Sequence, residues 1–482
     1  MIDAARDRMG PPEGSEGLAQ ENRTVRRDSA SARAERMNGS NPESARWMPF
    51  RARMPASRAV MGSLASGVVG QAALVVTGVV AARTLGPTDR GYLALLVLVP
   101  TVLQLAGNMG LPLATTYFIA TDKRHERSVL RALRLPVLLQ VAALISLQAV
   151  ILWLLVHNDP HRVRIAALLT FPILAGALAD MYGKAILQGQ GRYTAFNVLR
   201  NAVVAFYLLA IVALLVLGQT DLVGFAVAWT AASLAAGALT LGTALSRRSH
   251  VDAESTKAIA AAPIIRFGLR GYLASLSPVT TFRLDQAVIG LFLAPKALGL
   301  YVAALAFTNF PELISRGVGM ITLPHVARTD VDRRRAESRS LVIFSAAATG
   351  LVVLVLELTA GKLVPLFFGS DFDAAVTITR ILLIGSFLWG IRRVLSDAAS
   401  GAGRPGLASA AEVASWVTIV PALAVLLPLF GATGVATAMT VSSAASLLAL
   451  VVLLRRADVQ RRPETETAPS SWRSRIVERW AR

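Results

Sequence analysis

The chain has 482 residues, of which 54% are hydrophobic and only 16% are charged, and its mean hydropathy is +0.54. Soluble domains carry about 25% charged residues, so this composition excludes an ordinary soluble enzyme. The net charge of +19 is spread along the chain, whereas a nucleic-acid-binding protein gathers its cations on one soluble face. Because the chain has no cysteine, disulfides, thiolate metal sites and cysteine nucleophiles are excluded.

The first part of the chain is polar. Residues 1–56 are rich in Arg, Glu, Ser, Gly and Asn and contain few aliphatic residues, a composition typical of disordered tails. We predict a disordered N-terminal tail of mixed charge. The first thirty residues contain no apolar stretch, so we expect no cleavable secretory signal.

Long apolar runs follow this tail. A membrane span needs roughly 20 apolar residues, and the sequence has room for twelve spans. The fold predicted here is an all-α polytopic membrane protein with twelve transmembrane helices. They lie near 59–84, 91–120, 130–156, 163–188, 196–217, 222–245, 265–293, 298–327, 340–360, 374–399, 406–428 and 431–454.

The charges of the loops predict the orientation. Lys and Arg residues are concentrated in the loops after spans 2, 6 and 8, and the loops on the other side of the membrane carry few. By the positive-inside rule, both termini then lie in the cytoplasm. No loop on the predicted outer side exceeds about 15 residues, the length of a short connection. An envelope enzyme would need a larger outer loop for its catalytic groups.

The two groups of six spans share a pattern of glycines and prolines. Pro87 and Gly91 recur 208 positions later as Pro295 and Gly299. A Gly-Gln-Gly-Arg turn after span 4 returns as Gly-Ala-Gly-Arg after span 10, 212 positions later. Since six spans return the chain to the same side, we predict two parallel repeats related by an axis along the membrane normal. Two pseudo-symmetric halves around a central cavity indicate transport.

The end of the chain is polar again and basic. Trp472, Ile476 and Trp480 recur every four residues, with arginines on the remaining faces. This pattern predicts an interfacial helix over 470–482 that binds anionic membrane lipids. The alternative is an unstructured tail. The predicted organisation therefore has five parts in chain order. They are an N-terminal tail (1–56), a first six-helix half (57–248), a cytoplasmic linker (249–262), a second six-helix half (263–455) and a cytoplasmic tail (456–482).

Several segments resemble a known family. They are the first hairpin, the turn after span 4, the start of the second half and the outer loop before span 10, at 81–120, 186–201, 267–304 and 366–375. Over residues 57–455 the chain resembles the polysaccharide transporters and oligosaccharide (O-antigen-type) flippases of the multidrug/oligosaccharidyl-lipid/polysaccharide (MOP) superfamily.

The resemblance implies a function. A protein of this kind moves an undecaprenyl-diphosphate-linked oligosaccharide from the inner to the outer leaflet of the bacterial inner membrane. It needs no cofactor and is not an enzyme. Its implied partners are the lipid-linked oligosaccharide, membrane lipids and the polymerase and glycosyltransferase machinery of polysaccharide synthesis, with no nucleic acid.

Ionisable side chains within the spans mark candidate sites. Each costs roughly 2.5–3.5 kcal/mol to insert into a membrane and so needs a partner or a wet cavity. Glu312 and Arg316 stand four apart in span 8, and the repeat maps them onto Gln104 and Asn108 in span 2. We expect these pairs to form opposing walls of one cavity. The alternative is a closed salt bridge that packs span 8 against a neighbour.

Span 7 is the richest in charge. Arg270 lies near its cytoplasmic end, Pro278 interrupts it, and Arg283 and Asp285 follow. The diphosphate of the implied substrate carries about two negative charges, which planar guanidinium groups bind bidentately. The predicted substrate-binding residues are Arg283, Arg316, Gln104, Asn108 and Arg270. For Arg283, a structural ion pair is the alternative.

Two further sets of charged residues remain. Without a phosphate-binding P-loop, ion gradients or the membrane potential are left to drive transport. The candidate coupling or charge-pair acids are Asp285, Glu312, Glu357 and Glu412. The candidate gate residues, which lie near the cytoplasmic ends of spans 4 and 10, are Asp180, Lys184, Arg393 and Asp397. The five histidines show no metal-ligand spacing, so we predict no metal site.

Two other transport functions stay open. A drug/cation antiporter of the same superfamily requires a binding site dominated by acids. A lipid II-type precursor flippase is the second alternative, although that branch usually carries two more helices than this chain. A non-transporting scaffold would leave the charges within the spans unexplained.

Overall fold

The computed structural model of the protein describes residues 54–121, 126–246, 260–273 and 283–459. Within these segments all regular elements are helices. Residues 62–482 form one compact unit, and of the other unit, residues 1–61, only residues 54–61 are described, as helix. Residues 1–53 of the predicted tail, Pro278, most of the predicted linker and the predicted helix over 470–482 lie outside the described residues.

The first half is built from apolar helices. They are α1 (Met54–Gly107), α2 (Leu111–Thr121), α3 (Glu126–Val156), α4 (His161–Leu169), α5 (Pro172–Gly189), α6 (Tyr193–Leu199), α7 (Ala202–Leu217) and α8 (Leu222–Ser246). Helices α4 and α5 form one span, as do α6 and α7. Pro172 begins α5 at a position where its missing N–H leaves no helical hydrogen bond unmade.

The second half follows the same plan. It contains α9 (Ala261–Leu273), α10 (Leu284–Phe292), α11 (Pro295–Arg328), α12 (Val331–Phe368), a short 3₁₀ helix (Ser370–Phe372), α13 (Ala375–Gly401) and α14 (Pro405–Val459). Pro295 opens α11 at the first helical position, where proline is favoured. Helices α9 and α10 correspond to the two ends of predicted span 7.

Helices α1 and α14 each contain a reversal of the chain. Gly86, in α1, has a left-handed φ of 69°, which glycine adopts without a steric penalty. Gln71 and Thr101 would be about 45 Å apart in a straight helix, yet they line the same cavity. In α14, Gly431 has a φ of 57°. The hydroxyls of Ser415 and Ser442, on either side of this glycine, are 2.8 Å apart, so the chain turns back on itself between them.

These reversals reconcile the helices with the predicted spans. Nine helical stretches of the described residues are long and apolar enough to cross a membrane. Two of them, Gly67–Gly107 and Gly406–Ala457, are 41 and 52 residues long, about twice what one crossing of a 30 Å core requires. They hold two crossings each, and α9 and α10 lie at the two ends of predicted span 7, the middle of which is outside the described residues. The prediction of a twelve-helix polytopic membrane protein is confirmed.

The internal repeat is visible in the turns after spans 4 and 10. Gly191 and Gly403 both have left-handed backbones, with φ of 73° and 79°. In both turns the following arginine donates its backbone N–H to a carbonyl five residues earlier, at 2.9 Å. Gly189 packs against α2, and Gly401 packs against the corresponding part of α11. The predicted pseudo-symmetric halves are therefore present in three dimensions.

The halves meet at the end of the bundle that loop charge assigns to the outside, here called the predicted outer end. A Cβ atom on Gly91 would overlap the carbonyl oxygen of Pro295, and one on Gly299 would overlap that of Pro87. Each of the two repeat glycines thus packs against the backbone of the repeat proline in the other half. Arg83 of α1 adds a bridge, because its Nε donates to the carbonyl of Phe367 in α12 at 2.8 Å.

Helix α9 joins the halves at the opposite end. The hydroxyl of Tyr272 donates to the carbonyl of Ala106 at 2.6 Å. Gly268 lies so close to Gly110 that a Cβ on either would collide with the other's backbone. The ring of Phe267 stacks on Tyr117 with centroids 4.4 Å apart. The first part of span 7 is therefore packed on the first half of the molecule.

Candidate functional site

A cavity of about 410 Å³ lies between the two halves, and we call it the basic cavity. Arg90 of the first half and Arg283 of the second are the charged residues among the described residues that line it. Its wall includes amide and hydroxyl side chains and three aromatic rings, Tyr207, Trp229 and Phe368. Because two guanidinium groups face this space and no described carboxylate does, its electrostatic potential favours anions.

A second space, of about 250 Å³, lies within the second half and is called the polar cavity. Its lining combines charged, hydroxyl and aromatic residues, including Asp285, Glu312, Arg316, Ser386, Trp389 and Ser443. It has Arg283, Gln286, Leu305 and Asn309 in common with the basic cavity. The two spaces are therefore neighbours that share one wall.

A third space, the apolar groove, has a volume of about 550 Å³. All of its described lining side chains are apolar, and they come from α1, α11 and α12. Val75, Ala306 and Phe368 line both this groove and the basic cavity. An apolar surface of this kind suits a hydrocarbon chain and not a sugar or a phosphate.

Arg283 stands where the basic and polar cavities join. It precedes α10 with a left-handed φ of 42°, a conformation that is uncommon for a residue other than glycine and often occurs at functional sites. Its side chain is exposed and makes no hydrogen bond or ion pair with the residues the structure describes. Gln286 and Asn309, which line the same junction, likewise make no such bond there. The junction presents three polar side chains to the cavities.

The acids of the polar cavity have partners. The hydroxyl of Tyr301 donates to Asp285 at 3.0 Å, and both side chains are buried. Glu312 and Arg316 form an ion pair at 2.7 Å, in line with their spacing of four residues. The guanidinium of Arg316 also lies over the ring of Trp389, 5.7 Å from its centroid, within the range of a cation–π contact.

The remaining predicted substrate-binding residues lie elsewhere. The amide of Gln104 donates to the carbonyl of Ala177 at 2.8 Å. The Asn108 side chain accepts from the backbone N–H of Gly110 at 2.8 Å and stabilises the break between α1 and α2. Arg270 is exposed on α9. None of the three is among the described residues that line the cavities, and their role in binding stays a prediction.

The predicted gate residues pair within their own halves. Lys184 and Asp180 form an ion pair at 2.5 Å, and Thr240 of α8 donates to the same carboxylate at 2.9 Å. Arg393 and Asp397 pair at 3.1 Å within α13. In this structure the Asp180 network connects α5 to α8. A gating role for the four residues stays a prediction.

The two other predicted coupling acids lie outside the three cavities as described. Glu412 pairs with Arg392 at 2.6 Å, and Arg392 also donates to Ser446 at 3.2 Å. One carboxylate oxygen of Glu357 is buried without a hydrogen-bond partner among the described residues. Their part in energy coupling stays a prediction.

The structure adds site residues that sequence reasoning missed. Arg90 begins the second span, and Trp229, Asn309 and Trp389 were hidden in apolar helices. The sequence signal for Arg90 was weak, because Arg83, Arg162 and Arg164 also lie at the predicted outer side. Among the described residues no group of three His, Asp or Glu side chains could hold a metal ion.

Comparisons with known proteins agree with this architecture. The profile of a family described as "Polysaccharide biosynthesis protein" matches residues 80–377. The probable low-salt glycan biosynthesis flippase Agl15 of Haloferax volcanii is 24% identical over 216 residues, which are 44% of each chain. The multidrug export protein MepA of Staphylococcus haemolyticus is 30% identical over 187 residues, which are 36% of this chain and 39% of that protein. Both alignments thus span less than half of the relative's length.

Solved structures share the fold. The lipid II flippase MurJ in an inward closed conformation superposes with a TM-score of 0.66 at 12% identity, covering 81% of this chain and 86% of that one. An inward-facing multidrug resistance MATE family transporter of the MOP superfamily gives 0.65 at 14% identity, covering 84% and 100%. These likenesses establish the arrangement of helices around a central cavity. Because the family profile covers more than half of the sequence, the chain belongs to the polysaccharide biosynthesis protein family.

Proposed function

We propose that the protein flips an undecaprenyl-diphosphate-linked oligosaccharide from the inner to the outer leaflet of a bacterial inner membrane. The observation that carries the proposal is the basic cavity, which presents Arg90 and Arg283 and no described carboxylate. The diphosphate of such a substrate carries about two negative charges, which two guanidinium groups balance. The glycan biosynthesis flippase among the relatives supports the same substrate class.

The side chains around the arginines favour binding of a phosphate. A guanidinium group presents five N–H donors in a planar fork that matches phosphate oxygens. Gln286 and Asn309, beside Arg283, supply amide donors that are not used by the described residues around them. Since these groups lie in a cavity within the membrane, their attraction for an anion is weakened less by water than at a surface.

The apolar groove supports a lipid-linked substrate. A polyprenyl tail transferred into water would lose the free energy of its hydrophobic contacts, about 0.8 kcal/mol for each CH₂ group. In the proposed complex the tail remains among apolar side chains of α1, α11 and α12 while the diphosphate occupies the adjoining basic cavity. The three shared lining residues connect the two spaces directly.

The contacts between the halves support alternating access as the mechanism. The Gly91–Pro295 and Gly299–Pro87 contacts and the Arg83 bridge close the predicted outer end. Release to the outer leaflet requires these contacts to separate. The orientation with cytoplasmic termini, the coupling acids and the link to polymerase and glycosyltransferase machinery belong to the same proposal.

One observation favours a second candidate function. Asp285 and Glu312 line the polar cavity, and carboxylates are what a drug/cation antiporter would use. In this structure, however, Tyr301 donates to Asp285 and Arg316 neutralises Glu312. The lipid II-type flippase alternative shares the diphosphate chemistry and differs only in the sugar and peptide of the substrate.

Substitution of Arg283 tests the proposal. Hydrogen bonds to charged groups contribute about 1.5–3 kcal/mol, so Arg283→Ala should slow flipping of undecaprenyl-diphosphate-linked sugar in proteoliposomes by roughly 10- to 150-fold. Arg283→Lys should recover only part of the rate, because an ammonium group lacks the fork. Arg339→Ala, an exposed arginine of α12, serves as the matched control.

Thermal unfolding curves accompany the transport assay. Arg283→Ala protein should remain folded, since the side chain makes no ion pair with the described residues. Full transport by stable Arg283→Ala protein would refute the anion site. Transport of an organic cation, with no transport of the diphosphate lipid, would favour the antiporter.

A further inference from the structure

The three cavities follow one another in a fixed order. The apolar groove adjoins the basic cavity through Val75, Ala306 and Phe368. The basic cavity adjoins the polar cavity through Arg283, Gln286, Leu305 and Asn309. Among the described lining residues, the groove and the polar cavity share none. A prenyl chain, a diphosphate and a sugar are joined in the same order in the proposed substrate.

We propose that the polar cavity is a sugar subsite, which binds the first, neutral sugar ring attached to the diphosphate, and that Trp389 is its specificity-determining residue. This inference rests on the proposed function. It goes beyond that function in assigning the recognition of the sugar to α11, α13 and the second crossing of α14. A diphosphate held at Arg283 places the attached ring next to this cavity, because Arg283 lines both spaces.

The lining of the polar cavity matches the chemistry of a sugar ring. Sugar hydroxyls both donate and accept hydrogen bonds. Glu312 offers carboxylate acceptors, Arg316 offers N–H donors, and the hydroxyl of Ser443 can do both. Trp389 contributes a flat apolar surface of the kind that packs against the C–H face of a ring, together with an indole N–H donor.

The charge of the cavity indicates a neutral sugar. Glu312 and Arg316 neutralise each other at 2.7 Å, and Asp285 carries a further negative charge or a proton beneath the hydroxyl of Tyr301. With Arg283 engaged by the diphosphate in the proposed complex, the guanidinium left for an acidic sugar is that of Arg316, which is already paired with Glu312. Like charges in a poorly hydrated site repel strongly. A neutral hexose avoids this repulsion and can still form hydrogen bonds with polar side chains of the lining.

The position of the polar cavity sets which part of the glycan is recognised. Its volume of about 250 Å³ is ample for one ring, and the ring joined to the diphosphate is the one that Arg283 places beside it. The protein should therefore discriminate the ring next to the diphosphate and tolerate variation further along the chain.

The test compares the affinities for two probes. One is undecaprenyl diphosphate, and the other is undecaprenyl diphosphate that carries a single N-acetylglucosamine. Affinities follow from the ligand-dependent rise in the melting temperature of the full-length protein in detergent. The wild-type protein should bind the glycosylated probe at least about tenfold more tightly, or about 1.4 kcal/mol. Trp389→Leu should reduce this ratio to near one without changing the affinity for the bare carrier.

Controls separate packing from recognition. Trp153→Leu alters a tryptophan that is 65% exposed on α3, and it should leave both affinities unchanged. Trp389→Phe retains an aromatic face and should keep most of the preference. If Trp389→Leu does not fold, the ratio of the two affinities is measured in Ser443→Ala, a smaller substitution in the same cavity, and it should fall there too. A probe with glucuronic acid should bind the wild-type protein more weakly than the neutral one.

The outcomes distinguish the inference from the proposed function. Equal affinity of the wild-type protein for bare and glycosylated carrier would overturn the sugar subsite while leaving the diphosphate site intact. An equal loss of affinity for both probes in Trp389→Leu would also overturn it. Failure of the wild-type protein to bind either probe would instead refute the proposed function.

Discussion

Gly91 offers a direct test of how the predicted outer end closes. In the structure, a Cβ atom on Gly91 would overlap the carbonyl oxygen and carbon of Pro295. These are backbone atoms at the start of α11 and cannot move aside as a flexible side chain would. Gly91→Ala must therefore separate the two halves at this end or distort both helices.

The magnitude follows from the cost of overpacking. An extra group in a well-packed contact costs about 1–3 kcal/mol. If this cost falls on the closed outer end alone, the equilibrium between closed and open outer ends shifts by about 5- to 150-fold toward the open one. The variant should then hold its basic cavity open to the outside more of the time and should transport more slowly.

Cysteine labelling measures this shift, because the native chain has no cysteine. Thr101→Cys places a thiol in the wall of the basic cavity. A membrane-impermeant maleimide added outside intact cells should label this cysteine faster when Gly91→Ala is also present. Gly299→Ala, at the equivalent position of the repeat, should have the same effect, since its Cβ would overlap the carbonyl oxygen of Pro87.

Two control variants isolate the cause. Gly242→Ala adds a methyl group in α8, where nothing lies within 4 Å of the new atom, and it should not change labelling. Gly268→Ala disturbs the contact with Gly110 at the opposite end and should not speed labelling from outside. If Gly91→Ala labels at the wild-type rate, the glycine contact does not control the outer end, and the reasoning fails.

Two further predictions concern stability and topology. Lys184→Met should destabilise the protein by about 3–5 kcal/mol because Asp180, 7% exposed, loses its cation. The double variant Lys184→Met with Asp180→Asn should regain most of the lost stability in thermal unfolding. If the pair acted only as a gate, the substitutions would change transport and leave stability unchanged. Cysteines at Thr220 and Ser370 should react with impermeant reagents from outside, and a cysteine at Ser249, outside the described residues, should not. Labelling of Ser249 from outside would reverse the predicted orientation.

Much of the fold could be predicted because membrane insertion leaves a strong signal in the sequence. Each crossing needs a long apolar run, and the runs gave the twelve spans. The glycine pattern also had a physical basis that sequence can record. Gly91 and Gly299 are required where two backbones touch, and Gly191 and Gly403 are required where φ is positive.

The direction in which individual side chains point was much harder to predict. The repeat placed Gln104 at the depth of Glu312, but Glu312 lines a cavity whereas Gln104 donates to a carbonyl of α5. Equal depth in two related helices does not fix which face of each helix meets the cavity. In an apolar helix a single polar residue gives no period from which that face can be read. Packing between helices decides it.

The asymmetry of the site within a symmetric frame has a mechanical reason. Two similar halves allow the contacts at one end to open while those at the other end close, because each half moves as a packed body. The proposed substrate, however, has an apolar end, an anionic middle and a polar end. Matching side chains in both halves would offer two equivalent sites and could not fix the direction in which such a molecule lies. The first half contributes Arg90 with Tyr207 and Trp229, and the second contributes Arg283 and the polar cavity. In the proposed complex the diphosphate lies between one arginine from each half, so we expect separation of the halves to weaken its binding.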